Sequence, residues 1–216
     1  MRVEGEAHDL YEELFPHGLV PQILRLLVDT WETFQRPVDN ESEPKITNRF
    51  VVALQRERRR RRAQFSVRPH EIDLEGLDPA TGKGYVEIDI CIRVNYEDRC
   101  YFGIEAKKLN VTSPKGASES KAGVYAGKEG MGCFIDGRYA GYQCEGAMVG
   151  YVMDSECAKA KRSISEAIDK RAGDLRVPKS CPLRSTEALP GNPDAFETRH
   201  NLDRGEFTIY HVLLAA

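Results

Sequence analysis

The sequence predicts an α/β fold with a central mixed sheet flanked by helices, and three observations carry that expectation. Apolar residues recur at helical spacing across 19–35 and 44–62. They alternate with polar residues across 86–94. A well-marked helix over 155–175 then separates an apolar strand at 146–154 from a terminal strand in "EFTIYHVLLAA". With 216 residues, 41% hydrophobic and 30% charged, the chain suits one soluble globular domain spanning 1–216. A net charge of −3 excludes a globally basic surface but not a local basic patch. No run approaches the roughly 20 apolar residues of a membrane span. The N-terminus also lacks an apolar signal core, so a cytoplasmic protein with no membrane partner is expected. Six cysteines, at 91, 100, 133, 144, 157 and 181, form no CxxC pair and read as reduced thiols.

The elements follow in order. In "LVPQILRLLVDTWETFQ", Ile23, Leu26, Leu27, Thr30, Trp31 and Phe34 share a helical stripe that Pro37 ends. In the next segment Ser42 can cap, Pro44 suits a first turn, and Ile46, Phe50, Ala53 and Leu54 form an apolar face, giving a helix over about 44–62. Val86, Ile88, Ile90, Ile92 and Val94 alternate with Glu87, Asp89, Cys91, Arg93 and Asn95, which is the period of a strand, and "CYFGIEAK" reads as its hairpin partner. "SPKGASESKAGVYAGKEG" reads as a loop into a glycine-weakened helix, with Ser155 as the cap of the later helix and 178–195 as loop.

The hairpin carries the chemistry. If residues 96–98 form its loop, opposed residues have numbers that sum to 194, so Asp89 faces Glu105 and Glu87 faces Lys107. Opposed β-carbons lie about 5 Å apart and alternate residues share a face, so the four charged groups can meet. Two carboxylates that close repel unless a cation sits between them, and Mg²⁺ takes carboxylate oxygens while keeping positions open for water and phosphate. Acid-x-Lys occurs three times, but only Glu105-Ala106-Lys107 ends an apolar strand whose partner presents another acid. A solvated face with cross-strand salt bridges is the plainer alternative.

With Asp89 followed by Glu105-Ala106-Lys107, the hairpin resembles the PD-(D/E)XK nuclease superfamily. The resemblance covers about residues 40–155, with the N-terminal helix and C-terminal strand added. It implies a restriction-endonuclease-like αβββαβ core and a Mg²⁺-dependent (or Mn²⁺-dependent) phosphodiesterase. Asp89, Glu105 and the Ala106 carbonyl would hold the metal, and Lys107 would position the attacking water and stabilise developing charge. The family often adds a helical Glu. Glu43 lies three residues before Ile46 and seven before Phe50, on the inward stripe, whereas Glu41 stands outside the helix and Glu57 far along it. The segments 125–154 and 198–215 resemble, more loosely, nuclease-like proteins of bacterial phage defence, although Gly132 and Cys133 stand where such relatives commonly carry a basic residue. DNA is the expected substrate, with a homodimer or a defence-system protein as partner. A catalytically silent nuclease-fold module that binds nucleic acid or a partner protein is the alternative.

Outside the hairpin, "RERRRRR" at 56–62 points to phosphate contact through Arg58, Arg59, Arg60, Arg61 and Arg62, against a plain reading as a solvated helix end favoured by the helix dipole. His200 and His211 flank the last strand and read as structural. Lys121 and Gln143 are read as solvated, and "GLDPATGKGY" lacks the spacing of a phosphate-cradling loop.

Overall fold

The structure, a computed structural model, describes residue 15 and residues 17–73, 80–81, 86–94, 101–113, 116–139, 143–178 and 183–216. A short 3₁₀ turn (His17–Leu19) leads into helix α1 (Val20–Thr33), and α2 follows (Glu43–Arg61). The strands β1 (Ser66–Asp73), β2 (Val86–Arg93) and β3 (Phe102–Leu109) come next. After them lie the ribbon β4 (Val111–Thr112) and β5 (Ser118–Glu119), and the short helices α3 (Ala122–Tyr125) and α4 (Gly132–Ile135). The chain closes with β6 (Glu145–Val152), α5 (Cys157–Lys170), β7 (Arg184–Ser185), β8 (Ala195–Leu202) and β9 (Gly205–Ala215). Among the described residues, no helix is long and apolar enough to cross a membrane.

A seven-stranded mixed sheet runs β1-β2-β3-β6-β9-β8-β7, antiparallel at both ends and parallel where β6 joins β3 and β9. Helices flank it. Ile23, Leu27, Trp31, Ile46 and Phe50 of α1 and α2 pack with Ile104, Val149 and Val212, whereas Ile164 and Ile168 of α5 pack with Met148, Ile209 and Leu213. Strand β6 is buried along its whole length, as expected of a strand paired in parallel on both sides with helices covering the sheet. Trp31 Nε1 donates to the Ala215 carbonyl at 2.6 Å, tying α1 to β9. The Thr47 and Tyr151 hydroxyls meet at 3.2 Å and seat the first turns of α2 over β6.

The hairpin register is the expected one: Ile90↔Ile104, Cys91↔Gly103 and Ile92↔Phe102 each sum to 194. Its loop at 96–98 lies outside the described residues. Other expectations need correction. Residues 66–73 and 195–202 are strands that the sequence pattern did not announce, and β7 lies inside the expected 178–195 loop. Ser155 does not cap α5, because Glu156 occupies that position; Ser155 has a left-handed backbone (φ 60°) and donates its hydroxyl to the Ala216 carbonyl at 2.5 Å. The glycine-weakened helix is two single turns, α3 and α4, with a tight connection between them. A Cβ on Gly130 there would come within 2.1 Å of the Tyr125 carbonyl oxygen.

Candidate active site

The β2–β3 pairing stops at Ile90↔Ile104, and beyond it β3 pairs with β6 alone. At that point a side chain replaces the ladder: Asp89 Oδ2 accepts the Ala106 N–H at 2.9 Å. In β1, His70 falls between Pro69↔Ile90 and Glu71↔Ile88, opposite Asp89, and has a left-handed φ of 48°. A non-glycine residue in that region stores strain that its surroundings must hold. Here Asn48 Oδ1 on α2 lies 2.8 Å from its Nε2.

Glu105 and Lys107 follow on β3. Lys107 Nζ donates to Glu43 Oε1 at 3.2 Å, to the Ala106 carbonyl at 3.1 Å, and to Glu105 Oε1 in a short contact. The other oxygen of Glu43 accepts the Lys108 N–H at 2.6 Å, which clamps the first turn of α2 onto β3. Glu105 Oε2 accepts the Tyr139 hydroxyl at 2.7 Å. Asp89, Glu105, Lys107 and Glu43 therefore meet, as the sequence led one to expect. Glu41 does not join them; it is held by Arg49 at 2.6 Å. Glu87 also stands apart, because its exposed carboxylate pairs with His70 at 2.5 Å.

The electrostatics follow from crowding acids in a buried place. Burial, and then the Asp89 charge, push the Glu105 carboxyl up to about 7. Burial raises Asp89 as well, against the pull of Lys107 and the Ala106 N–H. Lys107 lies the other way: although burial opposes its charge, three surrounding carboxylates hold it protonated well above the ordinary lysine range. Among the described residues, no group of three or more His, Cys, Asp or Glu side chains is spaced to hold a metal ion. The oxygens that would serve a hard divalent cation are those of Asp89, Glu105 and the Ala106 carbonyl, an all-oxygen set of the kind Mg²⁺ takes while keeping several waters. The raised Glu105 fits that use, since such a carboxyl gains most from a nearby positive charge.

Tyr139 is the residue that sequence reasoning missed. It is almost fully buried, packs edge-on against Phe134, and its hydroxyl lies between Glu105 and the Glu87 carbonyl. No local pattern marks a tyrosine in a turn as the neighbour of an acid 34 residues earlier.

The arginine run ends α2, whereas Glu43 begins it; at about 1.5 Å per residue the two are roughly 27 Å apart along the axis. Its members differ. Arg60 and Arg61 bind Glu57, and Arg61 also binds Asp29 at 2.8 Å. Arg58 donates to the Ala63 and Phe65 carbonyls at 3.4 and 2.8 Å. The expectation that all five face phosphate is thus corrected: Arg59 and Arg62 remain exposed without an ion pair among the described residues. Lys121 pairs with Glu119 at 2.8 Å, and Gln143 is buried rather than solvated. His200 and His211 are fully buried and hydrogen-bond through Thr198 rather than to the carboxylates. Cys91, Cys133, Cys144 and Cys157 are free thiols; Cys100 and Cys181 lie outside the described residues.

Comparison with protein-family models, with curated proteins and with solved structures finds no match.

Proposed function

We propose that the chain is a metal-dependent nuclease that hydrolyses phosphodiester bonds, with DNA as its substrate. The observation that supports this most is the largely but not fully buried Lys107 ammonium, held between Glu43 and Glu105 where the Asp89 carboxylate crosses from β2 to β3. A sheet has no structural need for two acids forced to raised pKa values around one lysine, whereas a hydrolytic site does. A bound Mg²⁺ or Mn²⁺ supplies charge neutralisation at the phosphoryl oxygens. The chain's own residues do the rest. Asp89, fixed by the Ala106 N–H, and Glu105, fixed by Tyr139, present their carboxylates without reorganisation. Glu43 and Glu105 aim the Lys107 ammonium, whose charge stabilises the negative charge that grows on the phosphoryl group as the water oxygen bonds to phosphorus and the P–O ester bond breaks, the water giving its proton to solvent and the leaving oxygen taking one from solvent.

The Lys107 contacts to Glu43 and Glu105 also favour a second reading, in which internal pairing leaves a silent module that binds nucleic acid or a protein. Incubating the purified chain with plasmid, single-stranded DNA and RNA in Mg²⁺, Mn²⁺ or EDTA separates the two. The nuclease reading expects metal-dependent cleavage that falls at least about 100-fold in Lys107→Ala while DNA binding persists. Absence of cleavage in every metal, or full activity in Lys107→Ala, overturns it.

A further inference from the structure

The geometry points to a second nucleic-acid site: the groove between the C-terminal end of α2 and the β1 edge of the sheet takes the phosphodiester backbone several phosphates away from the bond being cut. The groove, about 490 Å³, is lined by ten residues, of which five are arginines (Arg58, Arg59, Arg62, Arg68 and Arg93) and none is an acid. The chain as a whole carries a net charge of −3, so this concentration of positive charge is local. The larger cavity, about 550 Å³ between α1 and α2, shows the contrast, since Glu57 lines it and already binds its Arg60.

The local structure explains why five arginines converge. Arg62 caps α2 in a left-handed conformation (φ 55°), so the helix stops there and the chain passes within a few residues into β1. Helix end and strand start thus form two walls of one groove. Two of the arginines are fixtures. Arg58 donates to the Ala63 and Phe65 carbonyls, which also answers the partial negative charge of the helix end. Arg93 is held by both oxygens of Glu71 at 3.0 Å and lies over the Tyr101 ring. The other three are available: Arg59 and Arg62 are exposed, and Arg68 is half exposed with only a long 3.4 Å contact to Glu71.

Position along the sheet sets the register of the ligand. Arg93 lies four residues beyond Asp89 on β2, or roughly 13 Å at about 3.3 Å per residue. A duplex strand carries one phosphate per about 3.4 Å of axis, so a backbone seated at Asp89 and Glu105 has to run on by several phosphates before it reaches the groove. Repeated phosphates, each open to a bidentate guanidinium, match a groove lined by five arginines and no acid, in which Glu71 behind the lining engages Arg93 and only loosely Arg68, better than a peptide does. The choice of nucleic acid rests on the nuclease reading of the carboxylate site.

The test is binding of a fluorescent DNA duplex of about 20 base pairs in EDTA, by anisotropy, between about 50 and 200 mM salt. The combined variant Arg59→Ser, Arg62→Ser, Arg68→Ser is compared with the parent and with Arg60→Ser, Arg61→Ser, whose guanidinia are bound to Glu57 and Asp29. Removing three phosphate contacts lowers the salt slope by about 2.7, so over that fourfold salt range the parent should lose about fortyfold more affinity than the groove variant. The Arg60, Arg61 control should follow the parent. Equal affinity and slope in parent and groove variant overturn the proposal even if the chain cuts DNA. Competition by poly-L-glutamate as strong as by DNA overturns the nucleic-acid assignment. Loss of binding only in the groove variant supports the groove, and does so even if no metal elicits cleavage, an outcome that would sink the nuclease reading alone.

Discussion

Replacing Asp89 with asparagine should stabilise the metal-free protein while destroying its function. The side-chain amide of Asp89→Asn keeps an oxygen for the Ala106 N–H that Asp89 accepts at 2.9 Å, so the shape of the strand junction survives. What disappears is a charge. Glu105 is raised from 4.5 to about 7, first by burial and next by Asp89, which corresponds to a penalty of about 3 kcal/mol on its ionised form. Asp89 is itself raised, so its attraction to Lys107 and the Ala106 N–H does not cover its own burial. Removing the charge should return about 1 kcal/mol, or a melting temperature higher by about 3 °C for a chain of this size. The sign depends on pH. A carboxyl whose folded pKa is raised weakens the fold only where the unfolded chain is ionised, so the gain is full above about pH 7 and fades as pH falls to 4.5. Thermal melts in EDTA at about pH 8 and pH 5 read this directly. An Asp89→Asn protein that melts below the parent at about pH 8 would mean that Asp89 is an ordinary salt-bridge partner, and the crowding argument would fail.

Three further outcomes are expected. Tyr139→Phe removes the donor to Glu105 Oε2 and should lower cleavage about 10- to 100-fold with little change in melting temperature; an unchanged rate refutes a positioning role. Burial holds His200 down to about 4 and His211 well below the usual range, so both are neutral in the fold and gain protons on unfolding. Stability is therefore complete above about pH 6.5 and falls as pH drops towards 4, by about 3 kcal/mol from His200 alone; urea midpoints that stay flat over that range contradict this. Arg49→Ala strips Glu41 of its 2.6 Å partner beside the start of α2 and should lower both stability and activity, whereas Arg60→Ala at the exposed far end should change neither measurably.

The hairpin was legible because its information is local. Period two identified β2, and the expected three-residue loop at 96–98 set a register that the observed pairs share, so Asp89, Glu105 and Lys107 could be placed together from the sequence. Glu43 was legible for the same reason, through the stripe it shares with Ile46 and Phe50. Glu87 was expected opposite Lys107 by register, yet the pairing ends at Ile90↔Ile104, and beyond that point opposition across the ladder no longer brings side chains together. Strand β1, "SVRPHEID", hid because it lies at the edge of the sheet, where Pro69 is tolerated and alternation is not required. Strand β8 hid because its buried Thr198 and His200 satisfy one another and the Leu175 carbonyl, so polar residues sit where the pattern demands apolar ones. Tyr139 and the pairing of Arg60 and Arg61 are tertiary facts, set by which turn and which helix face happen to lie alongside.

The measurement that bears most directly on the account is single-turnover cleavage of labelled duplex DNA by the parent, Lys107→Ala and Asp89→Asn proteins across a Mg²⁺ titration. The account predicts Mg²⁺-saturable cleavage by the parent and at least about a 100-fold loss in each variant, although all three are folded and still bind DNA in EDTA. Cleavage in either variant at the parent's rate, or a parent that cuts equally well in EDTA, would contradict it.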